Sequence, residues 1–325
     1  MTLSLSRPLT SLLLLLFTLS AAAAAPQDQA LLEAVAADDL SQAKQLLESG
    51  ADPNAESQYG TFALVFAAEH DNIAMAQLLL EYGARADVKT SDGFTPLIAA
   101  AEQGDVELTS LLLEHGANPH TKTRKGKDAF MYAVQAGFED VLAMLIGYGA
   151  NINTSDRDGK TSLMVAIESS QFHIMQMLLM AGADTHIESS NGTTPLMMAA
   201  DKEDPAYVEA LLLRQADLHA TDESGATPLH IAASSGHSAV IATLLQQGAS
   251  IDKLDNDNWS PLMAAAFNGH VQCVTLLLES GANRQLRNNT GKSAADLARL
   301  AQKRTRHDSQ HYQELEQIVK QLSSS

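Results

Sequence analysis

The sequence predicts an all-α solenoid, in which helix-turn-helix repeats stack on one another and the turns between them project as β-hairpin fingers. Three columns with a period of 33 residues predict it: a Gly-Ala dipeptide, a leucine and an alanine. A period of this length indicates stacked hairpins, because one helix pair cannot bury its apolar face alone. The dipeptide glycines are Gly50, Gly83, Gly116, Gly149, Gly182, Gly248 and Gly281, with Gln215 at the one missing step. The leucines are Leu46, Leu79, Leu112, Leu145, Leu178, Leu211, Leu244 and Leu277, and the alanines are Ala34, Ala67, Ala100, Ala133, Ala166, Ala199, Ala232 and Ala265.

The residues of one unit predict its two helices. Thr95 is an N-cap residue, and Pro96 suits the first helical position, where its missing N–H is not needed. A first helix is expected over residues 96–103, and Gly104 ends it. A second helix is expected over residues 106–115, since leucines recur there at helical spacing. Gly116 then provides a left-handed C-cap.

The repeated pattern resembles the ankyrin repeat, and its fullest copy contains Gly225, Thr227-Pro228-Leu229-His230, Ala232-Ala233, Gly236-His237, Leu244-Leu245 and Gly248-Ala249. The resemblance covers residues 27–325. It implies a truncated N-terminal repeat (27–58), seven repeats that start near residues 59, 92, 125, 158, 191, 224 and 257, and a C-terminal cap (290–325). We therefore expect one ankyrin-repeat array over residues 26–325.

Departures from this pattern are local. Ile98, Met131, Met164, Met197 and Met263 replace the histidine of Thr-Pro-Leu-His, and these side chains cannot make an imidazole hydrogen bond. The sequence Asp128-Ala129-Phe130 loses the proline, whereas Asp204-Pro205 supplies a new helix start. Gln215 stands where the backbone should be left-handed, at a cost of about 1 kcal/mol.

Residues 1–25 have the pattern of a secretory signal peptide. Arg7 supplies a positive charge, residues 9–19 form an apolar core, and alanines follow at positions 21–25. This pattern predicts export to the bacterial periplasm, with cleavage near Ala23, Ala24 or Ala25. The apolar core is shorter than the roughly 20 residues that span a bilayer. A retained membrane anchor and a secreted eukaryotic protein are the alternatives.

Composition limits the classes of partner. The chain has 325 residues, with 21 basic and 39 acidic side chains and a formal charge of −18. A nucleic acid or an anionic membrane is disfavoured, because phosphate binding needs a basic surface. No apolar stretch beyond the N-terminus reaches spanning length, so stable membrane insertion is not expected. A single cysteine excludes an intramolecular disulfide framework.

We expect no catalytic residues, metal or cofactor. The thiol of Cys273 falls in a column of apolar residues, which favours a buried position over a nucleophile. His307 and His311 could form a metal pair, but no further ligands lie near them in the sequence. A set of methionines could line a cofactor site, although helical core packing explains them better: Met164, Met175, Met177, Met180, Met197 and Met198.

The resemblance places the candidate binding surface on the turn tips and on the exposed part of the first helices, which line a concave groove in ankyrin arrays. Trp259 and Phe267 are the candidate aromatic anchors, since aromatic residues are frequent binding hot spots. The alternative is that they cover the neighbouring turn. The full set of candidate partner-binding residues is Tyr59, Phe94, Glu102, Arg124, Lys125, Lys127, Asp158, Asp201, Trp259 and Phe267.

Charge is segregated along the chain. Residues 26–283 contain 12 basic and 35 acidic residues, which predicts an acidic groove and a partner with a basic surface. Residues 284–306 contain seven basic residues and only Asp296 as an acidic one. This basic segment is either a polar capping helix or a docking patch.

These features favour a non-catalytic, monomeric protein that binds another protein in the periplasm. The resemblance to exported bacterial ankyrin proteins implies an accessory factor of an envelope or oxidative-defence enzyme. An immunity or inhibitor protein against a secreted toxin is the alternative, and it predicts very tight and salt-dependent association. An enzyme is the third and disfavoured class, because a broad solenoid groove rarely offers an enclosed reactive pocket.

Overall fold

The computed structural model describes residues 26–307 and 309–323, so the predicted signal peptide lies outside the described residues. The chain divides into two compact units, and the division falls after Asn151; we call residues 26–151 unit 1 and the residues from 152 onward unit 2. All regular elements in the described residues are helices, which confirms the predicted all-α repeat solenoid. No helix in these residues has both the length and the apolar character that crossing a membrane requires.

Unit 1 contains four helix pairs. They are α1 (Pro26–Ala36) with α2 (Leu40–Glu48), α3 (Ala63–Glu69) with α4 (Ile73–Glu81), α5 (Pro96–Gln103) with α6 (Val106–Glu114), and α7 (Ala129–Ala136) with α8 (Glu139–Gly147). In each pair the first helix packs against its own second helix, and within unit 1 the first helices of neighbouring pairs pack against each other.

Unit 2 contains five helix pairs in the same order. They are α9 (Ser162–Glu168) with α10 (Phe172–Met180), α11 (Pro195–Ala200) with α12 (Ala206–Leu212), α13 (Pro228–Ser235) with α14 (Ser238–Gln246), α15 (Pro261–Asn268) with α16 (Val271–Glu279), and α17 (Ala294–Arg304) with α18 (Gln310–Ser323).

The core of each unit is built from the periodic columns. All eight alanines of the alanine column are at most 1 % exposed, and they lie on the first helices. Their small side chains let neighbouring first helices approach closely. Seven of the eight periodic leucines are buried on the second helices, and Leu46 near the N-terminal end is half-buried. Burial of this apolar surface stabilises the stack by about 25 cal/mol for each Å² removed from water.

The methionines divide between core and surface. Met164, Met175 and Met197 are buried as predicted. Met180 is 70 % exposed, so the core prediction is wrong for this residue. It is the last residue of α10, at the position that glutamates Glu81 and Glu114 occupy in unit 1, and this position points away from the packed face.

Side-chain caps start most of the first helices. The Thr95 hydroxyl accepts a hydrogen bond from the backbone N–H of Ile98 at 3.1 Å, as the sequence predicts for a threonine before Pro96. Where the proline is missing, the carboxylate of buried Asp128 accepts the N–H of Met131 at 3.0 Å. An N-cap of this kind contributes about 1 kcal/mol, so the loss of the proline leaves the helix start intact.

In the described residues the turns between repeats contain no β-strand. Two isolated bridges occur, Glu56–Phe62 and Ser155–Thr161. At the start of most turns a side chain accepts backbone N–H groups that a β-ladder would otherwise use; Asp222 Oδ1, for example, accepts the N–H of Ala226 at 2.9 Å. In unit 2 successive tips are joined by one backbone hydrogen bond each, such as Asn256 N–H to the Ser224 carbonyl at 2.9 Å, which is too little to form a ladder.

Gln215 adopts the left-handed backbone that the sequence predicts, with φ of 61°. Asp204 and Pro205 open α12 as predicted: Pro205 has helical backbone angles and the Asp204 carboxylate accepts the N–H of Ala206 at 2.9 Å. One repeat of unit 2 therefore departs from the pattern twice: Asp204 and Pro205 start its second helix, α12, and a strained turn at Gln215 follows that helix.

Gln215→Gly should raise the free energy of unfolding by about 1 kcal/mol, because glycine adopts a positive φ without steric cost. Urea unfolding followed by circular dichroism measures the change. Gln247→Gly is the matched control: Gln247 is the C-cap that follows α14, with φ of −84°, so glycine there should destabilise the protein. Equal effects of the two substitutions would contradict the assignment of strain to Gln215.

Candidate partner-binding surfaces

The base of each turn tip is fixed by hydrogen bonds from the first turn residue. Thr90 Oγ1 accepts the N–H of Phe94 at 3.1 Å, and Asp255 Oδ1 accepts the N–H of Trp259 at 2.8 Å. The carbonyl of Trp259 in turn accepts the N–H of Asp255 at 3.0 Å. The predicted site residues at these positions therefore stand on a rigid backbone, with their side chains directed toward the first helices.

The structure brings this tip position together with the residue eight places later on the first helix. Lys127 Nζ donates to Gln135 Oε1 at 2.8 Å in unit 1. In unit 2, Trp259 and Phe267 pack edge to face, with ring centroids 5.5 Å apart and an interplanar angle of 87°. One pair of positions thus carries a polar contact in one repeat and an aromatic contact in another.

Phe94 makes a different contact. Its ring packs edge to face on Tyr132 of the following repeat, with the centroids 5.9 Å apart. Glu102, eight residues after Phe94, stays exposed. Burial raises the pKa of Glu69, one repeat earlier in the same column, and the charge of Glu102 adds to this rise while His70 opposes it. The first helices of unit 1 therefore present two carboxylates of neighbouring repeats at one edge.

The remaining predicted residues of unit 1 lie on exposed tips. Arg124 forms an ion pair with Asp92 at 3.0 Å, and both side chains are more than half exposed. Such a pair contributes at most about 1 kcal/mol, so Arg124 can exchange Asp92 for a partner's carboxylate. Lys125 is exposed at the same tip, and Tyr59 is 60 % exposed two tips earlier.

Unit 2 contains two clefts between neighbouring repeats. The first, which we call the aromatic cleft, has a volume of about 310 Å³ and lies between α15 and α17. Its lining residues are Asp257, Trp259, Phe267, Asn288, Asn289, Thr290, Lys292, Leu297, Leu300 and Arg304. Trp259 and Phe267 are half-buried, so each ring both covers the neighbouring repeat and keeps a face open to the cleft.

The second cleft, which we call the acidic cleft, has a volume of about 300 Å³ and lies between α11 and α13. Its lining residues are Thr193, Met197, Met198, Asp201, Asp222, Ile231, Ser234 and Ser235. Asp201 accepts a hydrogen bond from the Ser235 hydroxyl, which holds its carboxylate at the rim. Asp158 is exposed on the first tip of unit 2, and its carbonyl accepts the N–H of Ser190 at 2.8 Å.

The positive charge of the basic C-terminal segment is partly neutralised by Asp296, which lies within the segment. Asp296 is 3.5 Å from Arg287 and 3.3 Å from Arg299. Hydrogen bonds from the backbone and hydroxyl of Ser293 hold the pKa of Asp296 below its ordinary value, and the two arginines lower it further. Lys292 and Arg304, which line the aromatic cleft, make no ion pair with Asp296.

A sequence model of the family described as Ankyrin repeats (3 copies) matches residues 31–123, 116–189, 171–255, 196–288 and 247–303. The chain belongs to the ankyrin-repeat family. A search of curated proteins found no match. Ankyrin repeats are in general protein-protein interaction modules.

His230 shows what the histidine of an ankyrin repeat does here. Its Nδ1 lies 2.8 Å from Thr227 Oγ1 and its Nε2 lies 3.1 Å from the Trp259 carbonyl, so it ties two repeats together. Burial lowers the pKa of His230, and the bond to the Trp259 carbonyl opposes this shift. The neutral ring thereby fixes the backbone of the tip that carries Trp259.

Groups singled out for chemistry occupy structural positions. Cys273 is fully buried, as predicted, and burial raises the pKa of its thiol to about 11. The ring of His307 packs on Tyr312 in a tilted arrangement, with the centroids 4.5 Å apart, while His311 lies 3.5 Å from Glu314 and packs against Gly269. Within residues 26–307 and 309–323, no three histidine, cysteine or acidic side chains are arranged to hold a metal ion.

Sequence reasoning missed the residues that complete the two clefts. Leu297, Leu300 and Arg304 belong to the repeat after Trp259, and Ile231 belongs to the repeat after Asp201. The signal was present in the period, because within each unit the first helices of neighbouring repeats pack against each other at equivalent positions. Continuing the column of Phe267 by one period leads to Leu300.

A pair of carboxylates joins two neighbouring ankyrin repeats in unit 1. The Asp71 carboxyl hydrogen-bonds to Asp105, and this bond, followed by burial and by repulsion from Asp105, raises the pKa of Asp71 to about 6. Asp105 Oδ1 accepts the N–H of Leu108 at 3.0 Å. One repeat earlier the same contact is made by an amide, since Asn72 Nδ2 donates to Asp38.

Asp105→Asn should flatten the pH dependence of stability between about pH 4 and pH 6. A carboxyl pKa raised from 3.8 to about 6 gives stability that is present at low pH and is lost as the pH rises to about 6. An amide at position 105 can donate to ionised Asp71, as Asn72 does to Asp38, so stability at pH 7 should rise. Urea midpoints from pH 3.5 to 7.5 measure both effects.

Asp39→Asn is the control, because Asp39 caps α2 in the same way and accepts only the N–H of Gln42, at 2.9 Å. Its substitution should leave the pH profile parallel to that of the parent protein. If the Asp105→Asn profile is also parallel, the proton does not lie between Asp71 and Asp105.

Proposed function

We propose that this chain is a non-catalytic, monomeric binding protein of the bacterial periplasm, which acts as an accessory factor of an envelope or oxidative-defence enzyme. Its partner protein has a basic surface and binds to the acidic faces formed by the turn tips and the first helices.

The observation that carries the proposal is the aromatic pair of unit 2. Trp259 and Phe267 are half-exposed on rigid elements at the edge of a cleft, and aromatic side chains at such places supply much of the binding energy in protein interfaces. The excess of 35 acidic over 12 basic residues in residues 26–283 supports a basic partner. Steering between opposite charges raises the association rate.

Trp259→Ala combined with Phe267→Ala should weaken capture of the partner on the order of 30-fold or more, because truncating hot-spot residues costs about 2 kcal/mol or more. The partner is first isolated from periplasmic extract on the immobilised chain and identified by mass spectrometry. Affinity is then measured with the purified partner, and circular dichroism verifies that helicity is unchanged.

Met180→Ala combined with Leu213→Ala is the matched control, since these apolar side chains, at the end of α10 and directly after α12, are 70 % and 83 % exposed. This variant should bind as the parent does. Unaltered affinity of the Trp259 and Phe267 variant would remove the site assignment. If the captured partner loses its own activity on binding, the chain is an inhibitor and not an accessory factor.

Export is tested by expressing all 325 residues in a Gram-negative bacterium and separating the cell fractions. The protein should be recovered from the periplasm with its new N-terminus near Ala23, Ala24 or Ala25, because small residues follow the apolar core. A chain that starts at residue 26 should stay in the cytosol. Recovery of the full-length chain from the cytosol or the membrane would contradict the proposed location.

A further inference from the structure

The two clefts of unit 2 occupy equivalent positions, two repeats apart. Five lining residues of the acidic cleft align with five of the aromatic cleft at twice the 33-residue period. The equivalent pairs are Thr193 with Trp259, Asp201 with Phe267, Asp222 with Asn288, Ile231 with Leu297, and Ser234 with Leu300. The fold therefore offers the same recess twice, and only the side chains differ in chemistry.

The acidic cleft suits a basic side chain with an aliphatic stem. Asp201 and Asp222 bring two carboxylates to its rim, and the half-buried side chains of Met198 and Ile231 supply apolar walls. In the carboxylates of Asp222 and Asp201 it is Oδ1 that accepts the hydrogen bonds of the neighbouring residues, so Oδ2 can accept from a ligand.

The nearby cation, Lys202, does not occupy the acidic cleft. Lys202 directs its Nζ to the Glu168 carbonyl at 3.0 Å and to the Ser170 hydroxyl at 3.1 Å, away from the cleft lining. Long basic side chains bury their methylene groups against apolar surface while the charged end meets carboxylates. The acidic cleft therefore fits an arginine or lysine of the partner.

The aromatic cleft has the opposite preference. Trp259, Phe267 and Leu300 provide apolar surface, and Lys292 and Arg304 place two cations at the rim against the single carboxylate of Asp257. An apolar side chain next to a carboxylate satisfies both features. At about 310 Å³ the cleft lies at the low end of the range for ligand pockets, so a side chain fills it better than a larger molecule.

The distance between the clefts sets the spacing of the two side chains. Neighbouring helices pack about 8–10 Å apart, so two repeats separate equivalent positions by roughly 16–20 Å. An extended chain rises about 3.3 Å per residue and covers this distance in about five or six residues. We propose that unit 2 binds an extended segment of its partner, whose arginine or lysine enters the acidic cleft and whose apolar side chain, beside a carboxylate, enters the aromatic cleft about five or six residues away.

This inference rests on the proposed function and adds the chemistry of the bound segment. Selection from a phage-displayed library of random twelve-residue peptides on the full chain tests it. Enriched peptides should carry an arginine or lysine five or six residues from an apolar residue that is adjacent to aspartate or glutamate. Enrichment without this pattern, or no enrichment at all, would overturn the inference.

Paired variants assign each end of the peptide to its cleft. Asp201→Asn combined with Asp222→Asn should weaken binding of a selected synthetic peptide about tenfold, and should have no effect on the same peptide with glutamine in place of its basic residue. Asparagine suits position 222, because Asn288 makes the equivalent turn in the aromatic cleft, accepting the N–H of Lys292 at 3.1 Å.

Lys292→Gln combined with Arg304→Gln should likewise weaken binding of the selected peptide. It should have no effect on the same peptide with its acidic residue replaced by the corresponding amide. Glu168→Gln is the control, since Glu168 occupies the column of Asp201 one repeat earlier but lines neither cleft. If both paired variants bind the selected peptide and its neutralised versions equally well, the clefts do not recognise the charged residues of the peptide.

The failure of this inference differs from the failure of the proposed function. If the Trp259 and Phe267 variant no longer captures the natural partner but the selected peptides lack the pattern, only the proposed segment with its two anchoring side chains is rejected. Capture that survives the loss of Trp259 and Phe267 would reject the site itself.

Discussion

Close contact between neighbouring first helices is the interaction on which the rest of the structure depends. The alanine column is almost completely buried, and no larger side chain would allow the same approach. A helix pair on its own leaves this face open to water, so each repeat is stable only against its neighbours. The period of 33 residues follows from this requirement, because each repeat must present the same alanine and leucine positions to the next one.

Stacking uses one face of each repeat and leaves the turn tips and the adjoining side of the first helices to vary. The same two positions carry lysine with glutamine at Lys127 and Gln135, lysine with glutamate at Lys160 and Glu168, and an aromatic pair at Trp259 and Phe267. These exchanges leave the alanine column untouched. Binding chemistry can therefore change from repeat to repeat without a change in the fold.

The same division explains what could be predicted from the sequence. Helix starts, the left-handed turn at Gln215 and the burial of Cys273 follow from local residues and from the period, and they were predicted correctly. The clefts were not predicted, because each is completed by side chains of the following repeat, such as Leu300 beside Phe267. Met180 was misassigned because helical spacing alone does not show that the last residue of α10 extends past the packed face. The expected hairpin strands are replaced by tips whose backbone is satisfied by side chains such as Asp222.

The opposite charges of the two clefts also set the direction of a bound segment. A segment that enters with its basic residue at Asp201 and Asp222 brings its carboxylate to Lys292 and Arg304. The reversed segment would place like charges against each other at both ends, and like-charge contacts in an interface cost several kcal/mol. A surface that was acidic throughout would accept a basic segment in either direction. The net charge of the other repeats favours a basic partner. The basic residues at the C-terminal end of the array add selectivity, because they exclude the reversed segment.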